Sequence, residues 1–137
     1  MITFNYETNF SLSNESQLSQ WVEDCIIKND FKLGEINYIF CDDAYLHSLN
    51  VKFLNHDTFT DIISFDNTVG RIVSGDIFIS VDRVKENAND FKVSFDNELH
   101  RVMIHGVLHY LGFKDKTAEE KSLMRGKEDE CITLLNN

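Results

Sequence analysis

The segment HGVLHYLGFKD, residues 105–115 of this 137-residue chain, determines the fold and the site that the sequence predicts. His105 and His109 are four residues apart on a predicted helix, so their side chains lie on one face of it. Two imidazoles in that relation can occupy neighbouring positions on one metal ion. Gly112 is expected to end the helix in a left-handed turn, after which Asp115 arrives as a third, oxygen ligand. This zincin-like spacing predicts one divalent metal ion, with zinc as the first choice.

The residue after the first histidine limits the chemistry of the site. Zinc proteases of the HExxH type carry a glutamate there as general base, whereas this chain has Gly106. Zinc lowers the pKa of bound water to about 7, so hydrolysis that needs only the metal-bound water remains possible. The sequence assigns no catalytic residue beyond that water. Iron oxygenases also use two histidines and a carboxylate, but they place the carboxylate close after the first histidine, which disfavours them here.

Three motifs in order resemble the YbeY-type endoribonuclease family of rRNA maturation factors. HGVLHYLGFKD is similar to the family signature His-Gly-x-Leu-His-Leu-x-Gly-Tyr-Asp-His, and TDIISF (60–65) and GDIFIS (75–80) are similar to two of its strands. Leu49-Asn50 stands where the family has Leu-Asn, and the resemblance runs from about residue 36 to residue 125. It implies a cytoplasmic, metal-dependent, single-strand-specific endoribonuclease of ribosome biogenesis. The implied partners are precursor ribosomal RNA and the small ribosomal subunit, with no DNA and no membrane.

The chain departs from the family pattern at two functional positions. Asp115 and Lys114 stand where the family has histidine and aspartate. An anionic third ligand donates more charge, so we expect a weaker Lewis acid and more tolerance of harder ions. Leu54 stands where the family usually has an arginine suited to phosphate. The cations that can take over that contact from sequence alone are Lys52, His56, Lys114 and Lys116.

Two other functions fit the same residues. The protein can be a metal-dependent hydrolase of another substrate, such as a peptide or a small molecule. It can also be a non-catalytic ribosome-assembly factor whose metal is structural, which the missing arginine and the net acidity favour.

The hydrophobic pattern predicts the order β-α-β-α-β-β-α-α-α in a single α+β domain over residues 1–137, with one four-stranded mixed sheet. The strands are expected near residues 2–6, 35–41, 60–65 and 76–80, with a polar loop NHDTF at 55–59. Helix caps are expected at Ser13 or Asn14, Asp42 or Asp43, Ser80 or Asp82, Ser94, and Thr117 with Glu120 as a capping box. Leu123, Cys131 and Leu134 are expected to face inward. The HxxxH helix should line a metal cleft against the sheet.

The charge of the chain restricts its partners. Thirteen basic and 23 acidic residues give a net charge of −10, and residues 1–70 carry three of the basic and eleven of the acidic ones. Such a field excludes wrapping of duplex DNA and disfavours an anionic membrane surface. Five cations nevertheless cluster after the HxxxH segment, as either a solvated helix face or a rim that positions RNA phosphates: Lys114, Lys116, Lys121, Arg125 and Lys127.

The remaining polar residues receive weaker assignments. Glu98 shares the face of His105 two turns away, where it can orient the imidazole or simply be solvated. Asp61 and Ser64 are expected to form strand-end hydrogen bonds or to face the cleft. His47, His56 and His100 lack partners at ligand spacing. Cys25, Cys41 and Cys131 form no CxxC pair and are expected to be buried thiols. MITFNYETNF alternates like a strand rather than an export signal, and no apolar run approaches the ~20 residues of a membrane span.

Overall fold

The computed structural model describes residues 1–56 and 60–136 and shows the predicted order of elements. Of the predicted polar loop 55–59, residues 57–59 lie outside the described residues. The strands are β1 (Ile2–Tyr6), β2 (Lys32–Cys41), β3 (Ile62–Asp66) and β4 (Ile72–Ser80). The helices are α1 (Glu15–Lys28), α2 (Asp43–Leu54), α3 (Val81–Phe91), α4 (Phe95–Tyr110) and α5 (Ala118–Leu135).

The strands form one sheet in the order β1-β2-β4-β3. β1 pairs with β2 and β2 with β4 in parallel, whereas β3 runs antiparallel to β4 at the sheet edge. β2 and β4 begin three to four residues earlier than their hydrophobic runs indicated, because their first residues extend the pairing from Lys32 opposite Ile72. The predicted α+β domain with a four-stranded mixed sheet is confirmed.

The two faces of the sheet bury different helices. Alternation along β4 sends Ile77 and Ile79 into the main core and Phe78 to the opposite side. The main core receives apolar side chains from α1, α3, α4 and α5, while α2 covers the smaller cluster through Leu46. α4 lies across β4 and the edge strand β3. The HxxxH segment is therefore held against the sheet edge.

The predicted helix starts are confirmed for four helices. The side chains of Asp42, Ser80, Ser94 and Thr117 each accept a hydrogen bond from the backbone N–H three residues later. Thr117 and Glu120 form the predicted reciprocal capping box. Asn14 is the N-cap residue of α1 but makes no such side-chain bond.

α5 turns Cys131 and Leu134 toward the core as expected, but not Leu123. Leu123 is 56% exposed, so its predicted inward position is wrong. The buried stripe follows helical spacing through Met124, Glu128, Cys131 and Ile132 instead. A carboxylate therefore occupies the inner side of α5, next to α4.

α1 holds α5 in place from the side away from the sheet edge. Trp21 Nε1 donates a hydrogen bond of 2.6 Å to the backbone carbonyl of Cys131. Cys25, Cys41 and Cys131 are buried free thiols, as expected. Among the described residues, no helix has both the length and the apolar character needed to cross a membrane.

Candidate metal centre

His105, His109 and Asp115 come together at the end of α4. Nε2 of His109 lies 3.0 Å from Nε2 of His105 and 3.2 Å from Oδ2 of Asp115. The third side of the triangle, from His105 Nε2 to Asp115 Oδ2, is also 3.2 Å. Within residues 1–56 and 60–136, this is the one group of three or more histidine, cysteine or acidic side chains close enough to share an ion.

The donor set and its spacing fit one divalent cation. Two donor atoms that each lie about 2.0–2.1 Å from a zinc ion are about 3.3–3.4 Å from each other in a tetrahedral site. In an octahedral site they are somewhat closer together. The observed 3.0–3.2 Å separations fall in that range. All three side chains are partly exposed, between 23% and 37%, so the side of the triangle away from α4 is open to an exogenous group. Two imidazole nitrogens with a carboxylate oxygen suit zinc and also accept harder ions.

The turn after α4 brings Asp115 back over the helix end. Gly112 has φ +100, and its N–H bonds the carbonyl of His109 at 3.0 Å. The N–H of Phe113 bonds the carbonyl of Leu108 at 3.1 Å, which completes a Schellman motif. A positive φ at this point favours glycine. The predicted left-handed stop is therefore confirmed, and it reverses the chain toward the histidines.

Gly106 allows α4 to approach the sheet closely. A Cβ at this position would lie 3.0 Å from Cδ1 of Ile62 and 3.1 Å from Cδ1 of Ile77. The position that carries the general base in HExxH proteases therefore points into the core here. A side chain at this position would therefore press on Ile62 and Ile77, which accounts for glycine in place of glutamate.

Glu128 of α5 fixes the orientation of the first histidine. Its Oε2 lies 2.6 Å from Nδ1 of His105, and its Oε1 accepts a 3.0 Å bond from Arg101 Nη1. Arg101 also donates to Asp129 at 2.8 Å, so both guanidinium branches hold the α4–α5 contact. When Nδ1–H donates to Glu128, the lone pair of Nε2 faces the triad, as a metal ligand requires.

The electrostatics of His105 follow from this contact. Burial alone would lower its pKa, but the hydrogen bond and charge of Glu128, with Asp115 and Asp61, raise the pKa above its ordinary value. The imidazole is therefore held as a strongly basic donor between carboxylates.

The sequence analysis did not identify Glu128 as a residue of the site. The signal in the sequence was its position in the helical period. Glu128 lies four residues from both Met124 and Ile132, on the apolar stripe of α5. An acid in such a stripe is rarely buried without a partner. Glu98, for which solvation was the preferred alternative, is also buried, at 5% exposure.

A cavity of about 240 Å³ opens beside the triad. His105 separates it from the other two candidate ligands, and the start of β3 forms its far wall. Its charged lining residues are Asp61, Glu98, Arg101, Arg125 and Glu128. The predicted cleft between the HxxxH helix and the sheet is thus present. Burial raises the pKa of Asp61, partly offset by the charge of His105.

The other residues singled out in the sequence lie apart from the triad. Ser64 lies in the middle of β3, beside Tyr110, whose hydroxyl donates to the carbonyls of Phe65 and Asp76. His100 packs edge-on against Trp21, and burial lowers its pKa. His47 lies on α2, and His56 is exposed after it.

The basic residues after the triad separate into three groups. Arg125 lines the cavity. Lys127 pairs with Glu130 at 3.4 Å and lies over the ring of Phe113. The other three are exposed and do not line the cavity: Lys114, Lys116 and Lys121.

This fold and this cluster define a class: single-domain α+β proteins in which two histidines on one helix and an aspartate after its end form a possible metal centre. The family model of Endoribonuclease YbeY matches residues 3–136. The chain is 60% identical to Endoribonuclease YbeY of Flavobacterium johnsoniae over 136 residues, which cover 99% of this chain and 98% of the relative. It is 53% identical to Endoribonuclease YbeY of Christiangramia forsetii, over 98% of this chain and 94% of the relative.

A solved structure supports the same assignment. The solution structure of TM1509 from Thermotoga maritima superposes with a TM-score of 0.73 at 27% identity, over 98% of this chain and 89% of the other. The chain belongs to the Endoribonuclease YbeY family, and the family predicted from the three motifs is confirmed.

Proposed function

We propose that this protein is a zinc-dependent endoribonuclease that cuts single-stranded regions of precursor ribosomal RNA in the cytoplasm, in contact with the small ribosomal subunit. Family membership supports the endoribonuclease activity, since the matching family and its curated members carry that name. The observation that carries the site assignment is the triangle of donor atoms with sides of 3.0–3.2 Å. We assign His105, His109 and Asp115 as the three ligands of one divalent ion.

When bound there, a zinc ion would polarise a phosphoryl oxygen and activate a nucleophile such as water or the neighbouring 2′-hydroxyl of RNA. The chain's own residues supply position and charge. Glu128 holds the His105 ring through Nδ1, so Nε2 keeps its lone pair toward the ligand position. The Schellman turn at Gly112 places Asp115 opposite the two imidazoles. Gly106 supplies no base, so the proposed chemistry depends on the ion and the substrate.

The acidity of the chain shapes how RNA is bound. With a net charge of −10, the isolated protein has little nonspecific attraction for a polyanion. Weak affinity for free RNA is therefore expected, and the ribosomal subunit supplies much of the docking. Of the two arginines at the cavity beside His105, Arg101 is paired with Glu128 and Asp129, so Arg125 is the cation left for RNA.

The test replaces one ligand and follows the ion and the activity together. His109→Ala is expected to lose the metal, measured by elemental analysis, and to abolish cleavage of a single-stranded RNA. Asp90→Ala, at an exposed acid of α3 outside the triad, is the control and should retain both. A His109→Ala protein that cleaves RNA at the parent rate without metal would refute the proposal. Assays of the metal-loaded parent on peptides would reveal a hydrolase of another substrate.

A further inference from the structure

The cavity beside His105 contains a buried acid that the metal centre does not use. Glu98 is 5% exposed, and its side chain has no hydrogen-bond or ion-pair partner within residues 1–56 and 60–136. It lines the cavity with Asp61, and its charge is stabilised only at longer range by Arg101 and Arg125. Its oxygens are not sealed in the core but are reached by solvent through the cavity. Its oxygens are therefore available to a ligand that donates hydrogen bonds.

The other charged groups of the cavity differ in whether they are already engaged. Glu128 is occupied by His105 and Arg101, and Arg101 by Glu128 and Asp129. Arg125 forms no ion pair with any residue that the structure describes, and its side chain is exposed at the rim. Asp61 accepts a 3.4 Å hydrogen bond from Asn87. Glu98 inside and Arg125 at the rim are thus the acceptor and the cation of the cavity that have no partner among the described residues.

The volume and charge of the cavity select the kind of group that enters it. An apolar cavity of about 150 Å³ binds benzene, so about 240 Å³ is space for a ring-sized group. A phosphate inside would face the carboxylates of Asp61 and Glu98, since Glu128 and Arg101 pair with each other, and it would be repelled. A neutral ring with N–H donors would not be repelled, and the carboxylates on the cavity walls can accept its hydrogen bonds. The phosphate that accompanies such a ring remains at the rim, within reach of a guanidinium.

We propose that this cavity is a nucleotide subsite, in which Glu98 accepts a hydrogen bond from the exocyclic amino group of a base while Arg125 binds a phosphate at the rim. A carboxyl group accepts through at least one oxygen in either protonation state. The inference rests on the endoribonuclease function proposed above and adds a base preference to it. Cytosine offers an amino group where uracil offers a carbonyl oxygen, so cytidine is favoured over uridine.

The test compares two single-stranded RNAs of equal length, oligocytidine and oligouridine, with the zinc-loaded protein. Binding is followed by fluorescence anisotropy and cleavage by gel. The parent protein is expected to bind oligocytidine about tenfold more tightly than oligouridine. Glu98→Gln should reduce that preference to below about threefold, because an amide can also donate to uracil O4. Glu119→Gln, at an exposed acid of α5, should retain the parent's preference.

A second pair of variants tests the phosphate contact. Arg125→Gln should weaken binding of both RNAs about fivefold and make the slope of log affinity against log salt shallower by about 0.7. Lys85→Gln removes an equal charge from the exposed side of α3 and should change affinity less than twofold. Thermal unfolding verifies that each variant is folded.

The outcomes separate this inference from the function on which it rests. A parent protein that cleaves both RNAs without base preference overturns the subsite and leaves the nuclease standing. The same conclusion follows if Glu98→Gln keeps the full preference or if Arg125→Gln behaves like Lys85→Gln. A zinc-loaded parent that neither binds nor cleaves either RNA overturns both proposals.

Discussion

Oε2 of Glu128 lies 2.6 Å from Nδ1 of His105, so a residue of α5 determines which ring nitrogen of an α4 residue faces the triad. The ring is held as the Nδ1–H form by an acceptor 23 residues away in sequence. Arg101 in turn holds the second oxygen of Glu128. The geometry of the candidate metal centre therefore depends on both α4 and α5.

Neutralising Glu128 should weaken metal binding without displacing a ligand. We expect Glu128→Gln to lower zinc affinity about tenfold, at the lower end of the range for partners that orient metal-bound histidines. Competition against a chromogenic chelator measures the affinity. Glu119→Gln, which removes an exposed charge from the same helix, is the control and should match the parent. Equal zinc affinity in Glu128→Gln and the parent would show that the contact does not orient His105.

Restoring a glutamate after the first histidine should damage the fold rather than add a base. In Gly106→Glu the side chain enters the space filled by Ile62 and Ile77, where a carboxylate finds no hydrogen-bond donor. We expect a loss of about 3 kcal/mol or more in the free energy of unfolding.

The matched control for this change is Gly126→Glu on α5, where a Cβ meets no atom within 4 Å. Because glutamate has a better helix propensity than glycine, Gly126→Glu should raise the free energy of unfolding, by no more than about 1 kcal/mol. Urea unfolding measures both variants. Parent-like stability of Gly106→Glu would contradict the packing explanation for the missing base.

Glu98 should make the metal-free protein less stable as pH rises. Burial raises its pKa, with partial compensation from Arg101 and Arg125. Below the unfolded-state pKa of about 4.3, both states hold the proton. Between that value and the raised pKa of the folded state, the unfolded chain has released the proton while the folded protein still binds it. The free energy of unfolding therefore falls as pH rises through this interval.

Glu98→Gln should therefore unfold at a higher temperature than the parent at pH 7, and the difference should disappear near pH 4. Thermal unfolding of the metal-free proteins at both pH values measures it. Glu119→Gln should show no such pH-dependent gain. If Glu98→Gln raises the unfolding temperature equally at the two pH values, the effect comes from packing and not from charge.

Replacing the aspartate ligand should change which metals the centre prefers. Asp115→His supplies a third imidazole, which is neutral and softer than a carboxylate. We expect the ratio of zinc to manganese affinity to rise by about tenfold, comparable to other single changes around a metal. Metal competition followed by elemental analysis gives the ratio. Asp90→His, at an exposed acid of α3, should leave it unchanged, and an unchanged ratio in Asp115→His would argue against ligation by Asp115.

The local features of the fold and site were readable from sequence because their causes lie within a few residues. The histidine pair, the Gly112 turn and the return of Asp115 all fall within eleven residues of chain. The caps at Ser80, Ser94 and Thr117 likewise depend on bonds three residues away.

The features that sequence reasoning missed depend on contacts between distant elements. Glu128 was not identified from the sequence because its partners, Arg101 and His105, lie on another helix. At the start of α5 the buried residue is Met124 and not the predicted Leu123, because several polar residues on that helix obscure its hydrophobic periodicity. The cavity of Glu98 and Arg125 exists only where α4, α5 and the start of β3 meet.

The bond from Trp21 Nε1 to the carbonyl of Cys131 gives the protein an intrinsic optical reporter. Trp21 is the single tryptophan of the chain, so its fluorescence comes from one known environment between α1 and α5. Its emission wavelength therefore indicates whether α5 remains docked, without any attached dye. A chelator titration that leaves this emission unchanged would identify loss of the ion from a preassembled site. A red shift would identify opening of the helix pair.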